Sequence, residues 1–236
     1  MPLKTLILPG LPYVEVTLRR STQARRFSLR VSRSDGRVSL SMPKWAREQA
    51  AMDFLIERQD WVRGHMARSG KRQAPRLGGT IPIEGIERPI VEGGGRAARF
   101  ENGQIHVPDG TRIAPKIAAL LKTLARDRLA AASDRYAAAL GARYTGLSLR
   151  DTRSRWGSCT SAGALMYSWR LVMAPASVLN YVAAHEVAHL RQMNHSPQFW
   201  ALCAELYPNY QVERSWLRTD GPSLLTWQFE TLPQPV

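Results

Sequence analysis

The stretch of sequence on which the fold and chemistry of this chain depend is His185-Glu186-Val187-Ala188-His189, followed six residues later by His195. The chain has five histidines, and three of them fall in this window. On a helix, residues four apart lie on the same face one turn apart, so His185 and His189 can direct two imidazoles at one point. An apolar helix accommodates histidines poorly unless they have a partner. The spacing therefore predicts a metal site rather than incidental core histidines.

Zinc is the metal that this set of donors favours. In catalytic zinc sites three protein ligands leave the fourth position to water, whereas structural sites are closed by four protein ligands. Glu186, next to the first histidine, can reach such a water without binding the metal. The third ligand is either His195 or Glu205, a carboxylate on a following helix. We therefore expect Zn²⁺ in an open site with Glu186 as the catalytic residue.

The histidine-bearing segment is expected to be a central helix. Pro175 is suited to its first turn. Apolar residues occupy nearly every side of the helix, which indicates packing against several neighbours; they are Val178, Leu179, Tyr181, Val182, Ala183, Ala184, Val187, Ala188 and Leu190. Asn194 is expected to adopt a left-handed conformation that turns His195 back towards the metal. Ser196-Pro197 then predicts a further helix through about Leu206.

The remaining patterns predict an α+β fold in two portions. Residues 13–42 alternate apolar and polar positions around an Asp35-Gly36 hairpin signal, residues 46–69 are typical of an amphipathic helix, and residues 80–108 suggest short strands. Residues 115–140 predict a long helix, 153–160 a polar turn region and 166–172 a strand. We expect a β-rich portion with one helix over 1–112, and a helical and small-sheet portion that carries the metal helix over 113–236.

Composition favours a globular protein of the cytoplasm. The apolar fraction is 44%, and no stretch approaches the ~20 apolar residues of a membrane span. The first ten residues lack the features of a signal peptide. Cys159 and Cys203 are the two cysteines of the chain, too few for a disulfide framework, so a reducing compartment is expected.

The chain is strongly basic, with a formal net charge of +14. Its N-terminal part holds a group of seven arginines: Arg19, Arg20, Arg25, Arg26, Arg30, Arg33 and Arg37. Such a field attracts polyanions, including nucleic acid and nucleotides. The same charges also suit a solvated strand face, and they are not interleaved with the aromatic residues that a base-stacking surface requires. Both interpretations stay open.

Several ordered motif blocks resemble those of the YgjP-like metallopeptidase family, relatives of the SprT-like zincins. They are Arg155-Trp156-Gly157-Ser158-Cys159, Trp169-Arg170-Leu171-Val172, residues 181–190 around the histidine pair, Asn194-His195-Ser196 and Phe199-Trp200. The chain departs from the family pattern at Ser168, where Asn is favoured, and at Asn180, where Asp is frequent. The resemblance implies a zincin-like site with His185, His189 and His195 as zinc ligands and Glu186 as the catalytic carboxylate.

The resulting functional expectation is a zinc-dependent metallopeptidase that acts on a peptide or protein substrate. Arg153, Arg155 and Arg170 are candidate substrate-binding residues, with Arg170, Tyr207 and Tyr210 as candidate oxyanion donors. The strand at 166–172 is either the edge of the cleft, where an extended peptide would pair, or an ordinary core strand. Two alternatives remain, a metal-dependent hydrolase of nucleotide phosphoanhydrides and a nucleic-acid-associated protease of the SprT type.

Overall fold

The computed structural model describes residues 4–10, 13–32, 36–67, 73–108, 110 and 112–230. The chain forms two compact units, Met1–Arg72 and Gln73–Val236. Each unit has its own cluster of buried apolar side chains. Helices and strands occur in both, and the α+β class expected from the sequence is confirmed.

The first unit is a four-stranded sheet with two helices. Strands β1 (Lys4–Leu8), β2 (Val14–Ser21), β3 (Ser28–Val31) and β4 (Val38–Pro43) are arranged in the order β1-β2-β4-β3. Alternate residues of β2 and β4 are buried, as the period-2 pattern predicts. The expected hairpin joins β3 to β4; Asp35 of its turn lies outside the described residues. Helices α1 (Glu48–Glu57) and α2 (Gln59–Ala67) replace the single helix expected over 46–69.

The second unit begins with another four-stranded sheet. Strands β5 (Thr80–Ile83), β6 (Ile86–Glu92), β7 (Arg99–Glu101) and β8 (Gln104–Val107) are arranged in the order β5-β6-β8-β7. Their buried residues share one core with the long helix α3 (Ile113–Ala139). The sequence pattern predicts a division after residue 112, whereas the two compact units meet after Arg72 in the chain. The physical reason is that the apolar faces of β5, β6 and β8 are buried in the same core as α3.

The second sheet of this unit supports the histidine-bearing helix. Strands β9 (Gly146–Arg150), β10 (Gly157–Cys159) and β11 (Ala164–Ser168) are arranged in the order β10-β11-β9. Residues Trp169–Met173 form a 3-10 helix, followed by α4 (Ala176–Ala188), α5 (Pro197–Leu206), α6 (Tyr210–Thr219) and α7 (Gly221–Leu224). Most of α4 is buried, including Val178, Val182 and Val187, so the expectation of a central helix is confirmed.

The segment expected as one strand over 166–172 is different in the structure. It ends as a strand at Ser168 and continues as the 3-10 helix. Strand β11 lies between β9 and β10, so it is the middle strand of its sheet. The polar region 153–160, expected as a turn, supplies the edge strand β10. Because β11 has both of its backbone edges paired, this segment is a core strand rather than an edge at which a peptide could pair.

Cys159 and Cys203 are free thiols. Within the described part of the chain, no helix has the length and apolarity needed to cross a lipid bilayer. Arg19, Arg25, Arg26, Arg30 and Arg37 are exposed, and Arg20 donates hydrogen bonds to the carbonyl oxygens of Lys44 and Ala46. Arg33 lies outside the described residues.

Candidate metal centre

Three histidine side chains converge at the C-terminal end of α4. One donor atom from each of His185, His189 and His195 lies within 4.8 Å of the others. The Nε2 atoms of His185 and His195 are 3.0 Å apart. In a tetrahedral zinc site with bonds of about 2.05 Å, two ligand nitrogens are separated by about 3.3 Å. The His185–His195 pair is therefore close to the separation that a single tetrahedral ion requires, and His189 lies next to this pair.

The orientation of His189 leaves one ring nitrogen available as a ligand. Its Nδ1–H donates to the backbone carbonyl oxygen of Gln192 at 2.9 Å. A carbonyl oxygen can only accept, so Nδ1 carries the proton and Nε2 keeps its lone pair. Metal-bound histidines commonly have this type of support from a carbonyl group. His185 lacks it, because its Nδ1 is buried without a partner among the described residues.

Phe199 holds the three histidine rings together from the side of α5. This phenylalanine is fully buried. Its ring stacks on His189 at 4.5 Å and meets His185 and His195 edge-on at 4.9 and 4.7 Å between centroids. Trp200, the next residue, stacks on the outer side of His195. Ser196 caps α5 by accepting the backbone N–H of Phe199, which fixes the helix that carries both aromatic rings.

The return of the chain from α4 to His195 does not use the expected left-handed asparagine. Among the described residues, positive φ values outside glycine occur at Glu84 and Asn102, and not at Asn194. The helix instead tightens at its end, where the N–H of Leu190 bonds to the carbonyl of Val187 and that of Arg191 to Ala188. Glu205, the alternative third ligand, is exposed and does not belong to the cluster.

Burial favours the neutral form of His185 and His195, which is the form that binds metal. Burial first, and then the neighbouring His189, His195 and Arg214, lower the pKa of His185 to about 3. The pKa of His195 is also lowered, by burial first and then by His189 and Arg214. Three adjacent imidazoles cannot all carry protons without mutual repulsion. The cluster is therefore suited to one divalent cation rather than to three protons.

Glu186 lies beside the cluster in a confined position. Its side chain is only 6% exposed. Burial raises the pKa of Glu186 to about 8, and the nearby Arg155 opposes this rise. A Cβ atom placed on Gly157 of β10 would lie 2.5 Å from Oε1 of Glu186. Gly157 therefore leaves the space that the carboxylate occupies, a function that the sequence pattern does not predict.

The histidines and Glu186 open into a cavity of about 340 Å³. We call it the metal-site cavity; it is lined by Arg155, Gly157, Ser158, Cys159, His185, Glu186, His189, Met193 and His195. Of the three arginines expected to bind substrate, Arg155 is the one in this lining. Arg153 is exposed and does not line it.

Arg170 is buried away from the metal-site cavity. Its guanidinium group makes two bonds to the carboxylate of Asp151, Nε to Oδ1 at 2.6 Å and Nη2 to Oδ2 at 3.1 Å. Nη1 donates to the carbonyl oxygens of Leu224 and Trp227. These bonds occupy the side chain and attach the segment after α6 to the core of the unit.

The two tyrosines considered as oxyanion donors also lie outside the lining. Tyr207 donates its hydroxyl hydrogen to Glu213 at 3.4 Å. Tyr210 stacks on Trp200 and on Tyr181. Both belong to an aromatic group that packs against His185 and His195. In the described cavity, Arg155 and Ser158 are the side chains with hydrogen-bond donors next to the histidines and Glu186.

Strand β10 gives the metal-site cavity one straight backbone wall. It pairs with β11 in antiparallel register from Gly157↔Tyr167 to Cys159↔Leu165. Its other backbone edge pairs with no strand within the described residues. The residues of β10 line the cavity next to Glu186. An extended peptide can therefore add to this edge and pass directly in front of the histidine cluster.

Comparison with known proteins supplies one family match. A search of curated proteins found no match. Among solved structures, the metallopeptidase zymogen of Pyrococcus abyssi abylysin is similar at 16% sequence identity and a TM-score of 0.36, over 39% of this chain and 92% of that chain. The model of the YgjP-like metallopeptidase domain matches residues 25–220, which include the histidine cluster, Glu186 and β10. The chain belongs to the YgjP-like metallopeptidase family.

Proposed function

We propose that this protein is a zinc-dependent peptidase in which His185, His189 and His195 bind the metal and Glu186 is the general base. The observation that carries the proposal is the convergence of three imidazoles beside a buried carboxylate, at an edge of a sheet that pairs with no further strand among the described residues. Membership of the metallopeptidase family supports the reaction class. The donor set of three imidazoles, with no fourth protein ligand among the described residues, suits zinc in a catalytic site.

Glu186, Gly157 and Arg155 have different roles in the proposed hydrolysis. Zinc at such a site supplies Lewis acidity, which lowers the pKa of water to about 7 and polarises the substrate carbonyl group. Glu186 accepts a proton from the attacking water on its carboxylate and later gives it to the leaving nitrogen. The wall formed by Gly157 and the buried sides of α4 keeps the carboxylate in one position. Because a positive charge opposes protonation, Arg155 favours the ionised form of Glu186 that accepts the proton.

The substrate binds in extended form along β10. Backbone hydrogen bonds to the free edge of the strand position the peptide without regard to its side chains. The scissile bond then lies between this edge and the histidines. Arg155 and Ser158 are the residues of the lining that can donate to the carbonyl oxygen as negative charge develops on it.

The cavity favours a peptide over a nucleotide phosphoanhydride. A triphosphate carries several negative charges and is normally held by several cations or by a glycine-rich phosphate loop. In the described lining of the metal-site cavity Arg155 is the single cationic side chain apart from the histidines. The arginines of the first unit belong to a separate compact unit. Binding of nucleic acid by those arginines stays a prediction, which a steep loss of affinity with salt would support.

The proposal is tested by measuring zinc content and turnover on the same preparations. Purified protein loaded with Zn²⁺ should contain one ion per chain and should cleave unstructured peptides. His185→Ala and His189→Ala should lose both the metal and the cleavage. Nucleoside triphosphates, assayed in parallel, should not be hydrolysed above the rate of the His189→Ala variant. Triphosphate hydrolysis that depends on zinc, together with no peptide cleavage, would replace this proposal with the phosphoanhydride alternative.

A further inference from the structure

A second cavity adjoins the metal-site cavity and carries an uncompensated positive charge. Its volume is about 440 Å³. It shares His189 and Met193 with the metal-site cavity. Its other walls are the turn that follows β10, with Thr160 and Ser161, and the arginines Arg143 and Arg191. We call it the Arg143–Arg191 cavity.

The two arginines differ in how firmly they are held. Arg191 is anchored, since its Nη2 donates to the carbonyl oxygens of Leu140 and Gly141 at 3.2 and 3.0 Å. Its Nε and Nη1 donate to no described residue, so these N–H groups of the guanidinium are available to a ligand. Arg143 is exposed and forms no hydrogen bond or ion pair with the described residues. The pair thus combines one fixed cation and one adaptable cation.

No carboxylate lines the Arg143–Arg191 cavity in the described part of the chain. The carbonyl oxygens at the end of α3 offset the charge of Arg191 in part, but the charge of Arg143 has no counter-ion among the residues that the structure describes. Hydroxyl groups of Thr160 and Ser161 add further hydrogen-bond donors to the same wall. Such a set of donors is suited to a carboxylate, which accepts bonds from guanidinium and hydroxyl groups together.

The position of the cavity connects it to the substrate path. Strand β10 runs from Gly157 beside Glu186 to Cys159, and the turn at Thr160 and Ser161 follows directly. A peptide that lies along β10 and continues past the histidines therefore reaches this turn. Met193, which is 52% exposed, forms part of the boundary between the two cavities and offers an apolar contact for the stem of a side chain.

We propose that the Arg143–Arg191 cavity is a carboxylate-binding subsite, which gives the peptidase a preference for substrates with an acidic side chain, or the terminal carboxylate, at the position over residues 160–163. This inference rests on the proposed function, because it takes the metal-site cavity as the point of cleavage. If the substrate runs antiparallel to β10, the subsite receives an acidic side chain on the N-terminal side of the scissile bond. If the substrate runs parallel to β10, the subsite receives an acidic side chain or the terminal carboxylate on the C-terminal side.

The test is a set of peptides that differ at one position. A cleavable peptide is varied with Glu, Gln or Lys at each position on both sides of the scissile bond, and with a free or an amidated C-terminus. We expect one position at which Glu raises kcat/KM over Gln by about fivefold, the size of an exposed ion pair worth about 1 kcal/mol. A preference for the free C-terminus instead would identify the terminal carboxylate as the ligand. Either preference should weaken as salt is added.

Variants of Arg143 distinguish binding at this subsite from a general effect of the protein's positive charge on acidic peptides. Arg143→Gln should lower kcat/KM for the Glu peptide until the preference for Glu over Gln is lost, and Arg143→Glu should favour Lys. Arg150→Gln is the matched control, because Arg150 is an exposed arginine on β9, the far edge of the same sheet. The proposal is overturned if no position prefers an acid, or if Arg143→Gln and Arg150→Gln have the same effect.

A binding measurement keeps this inference distinct from the peptidase proposal. The Glu186→Gln variant is titrated with fluorescently labelled Glu and Gln peptides, and affinity is measured by anisotropy with and without Arg143→Gln. Tighter binding of the Glu peptide that depends on Arg143 supports the subsite even if the wild-type protein cleaves no peptide. Equal affinities for the two peptides contradict the subsite even if cleavage is observed.

Discussion

At the scale of single residues, the site depends on how closely one glycine approaches one carboxylate. Gly157 is needed for the absence of a side chain rather than for an unusual backbone, since its φ lies outside the positive range. A methyl group at this position would meet both Oε1 and Cγ of Glu186, at 2.5 and 2.6 Å. Because Glu186 is otherwise confined by burial, the carboxylate would have to leave its place beside the histidines.

Replacement of Gly157 should therefore affect catalysis more than metal binding. We expect Gly157→Ala to keep its zinc and to lose peptide turnover by about 100-fold, the effect of displacing a catalytic group by about 1 Å. Gly146→Ala is the control, because a Cβ on Gly146 of the same sheet meets nothing within 4 Å. Zinc content and kcat are measured for both variants. Equal kcat for the two variants would contradict the positioning role of Gly157.

Arg170 is a candidate substrate-binding residue in the sequence, but its contacts in the structure indicate a structural role. Its bonds to Asp151, Leu224 and Trp227 predict a contribution to stability. We expect Arg170→Met to lower the free energy of unfolding by about 2 kcal/mol, a value discounted because Asp151 is half-exposed. KM and kcat of the folded variant should stay close to those of the wild type. A raised KM with unchanged stability would instead place Arg170 on the substrate.

At the scale of secondary-structure elements, α5 positions the ligands that α4 and the following turn supply. The spacing of His185 and His189 on α4 aims two rings at one point, as the sequence predicts. The position of His195 depends on α5, where Phe199 contacts all three rings. The Ser196-Pro197 signal predicted the start of this helix. This signal does not indicate which face of α5 contacts the histidines, because that face is set by packing between elements distant in sequence.

Loss of the Phe199 ring should loosen the metal site without unfolding the protein. We expect Phe199→Leu to weaken zinc affinity by about tenfold, as is typical when support around metal ligands is removed. Phe229→Leu is the matched control, since Phe229 belongs to the same core and packs against Trp169 rather than the histidines. Each change should cost about 1 kcal/mol of stability. Zinc affinities, measured by competition with a chelator, should differ between the variants, and equal affinities would contradict the role of Phe199.

Strand β10 is an element that the local sequence pattern does not predict. The short run Gly157–Cys159 lacks the alternation of apolar and polar residues that marks a strand, so region 153–160 was expected as a turn. The more apolar segment that follows is predicted to be either the edge of the cleft or an ordinary core strand. In the structure the apolar segment occupies the middle of the sheet, where burial favours it, and the polar segment takes the edge. Strand order depends on contacts distant in sequence, which a local pattern does not contain.

At the scale of the whole molecule, the sequence predicted the class of the fold and the convergence of the three histidines better than the arrangement of the parts of the chain. The histidine spacing and the α3 pattern are local signals, and both agree with the structure. The division of the chain into two units falls after Arg72, earlier than the expected division after residue 112. The strands over 80–107 resemble those of the first unit in pattern, and only their packing on α3 assigns them to the second core.

Zinc binding should stabilise the unit that holds the three histidines. A ligand at 100 times its dissociation constant adds about 2.7 kcal/mol to the stability of the state that binds it. We therefore expect removal of zinc by a chelator to lower the unfolding temperature of wild-type protein by roughly 5 to 10 °C. His189→Ala should show no such shift. A chelator effect of equal size on wild type and His189→Ala would mean that the metal stabilises the protein through other residues.

The central claim is that Glu186 removes a proton from water at a site formed by three histidines. The most direct measurement is peptide turnover by Glu186→Gln at the same zinc occupancy as the wild type. The amide preserves the size of the side chain but cannot accept the proton, so the account predicts full zinc content and a loss of kcat of about 100-fold or more. Full activity of the zinc-loaded Glu186→Gln variant would contradict the account.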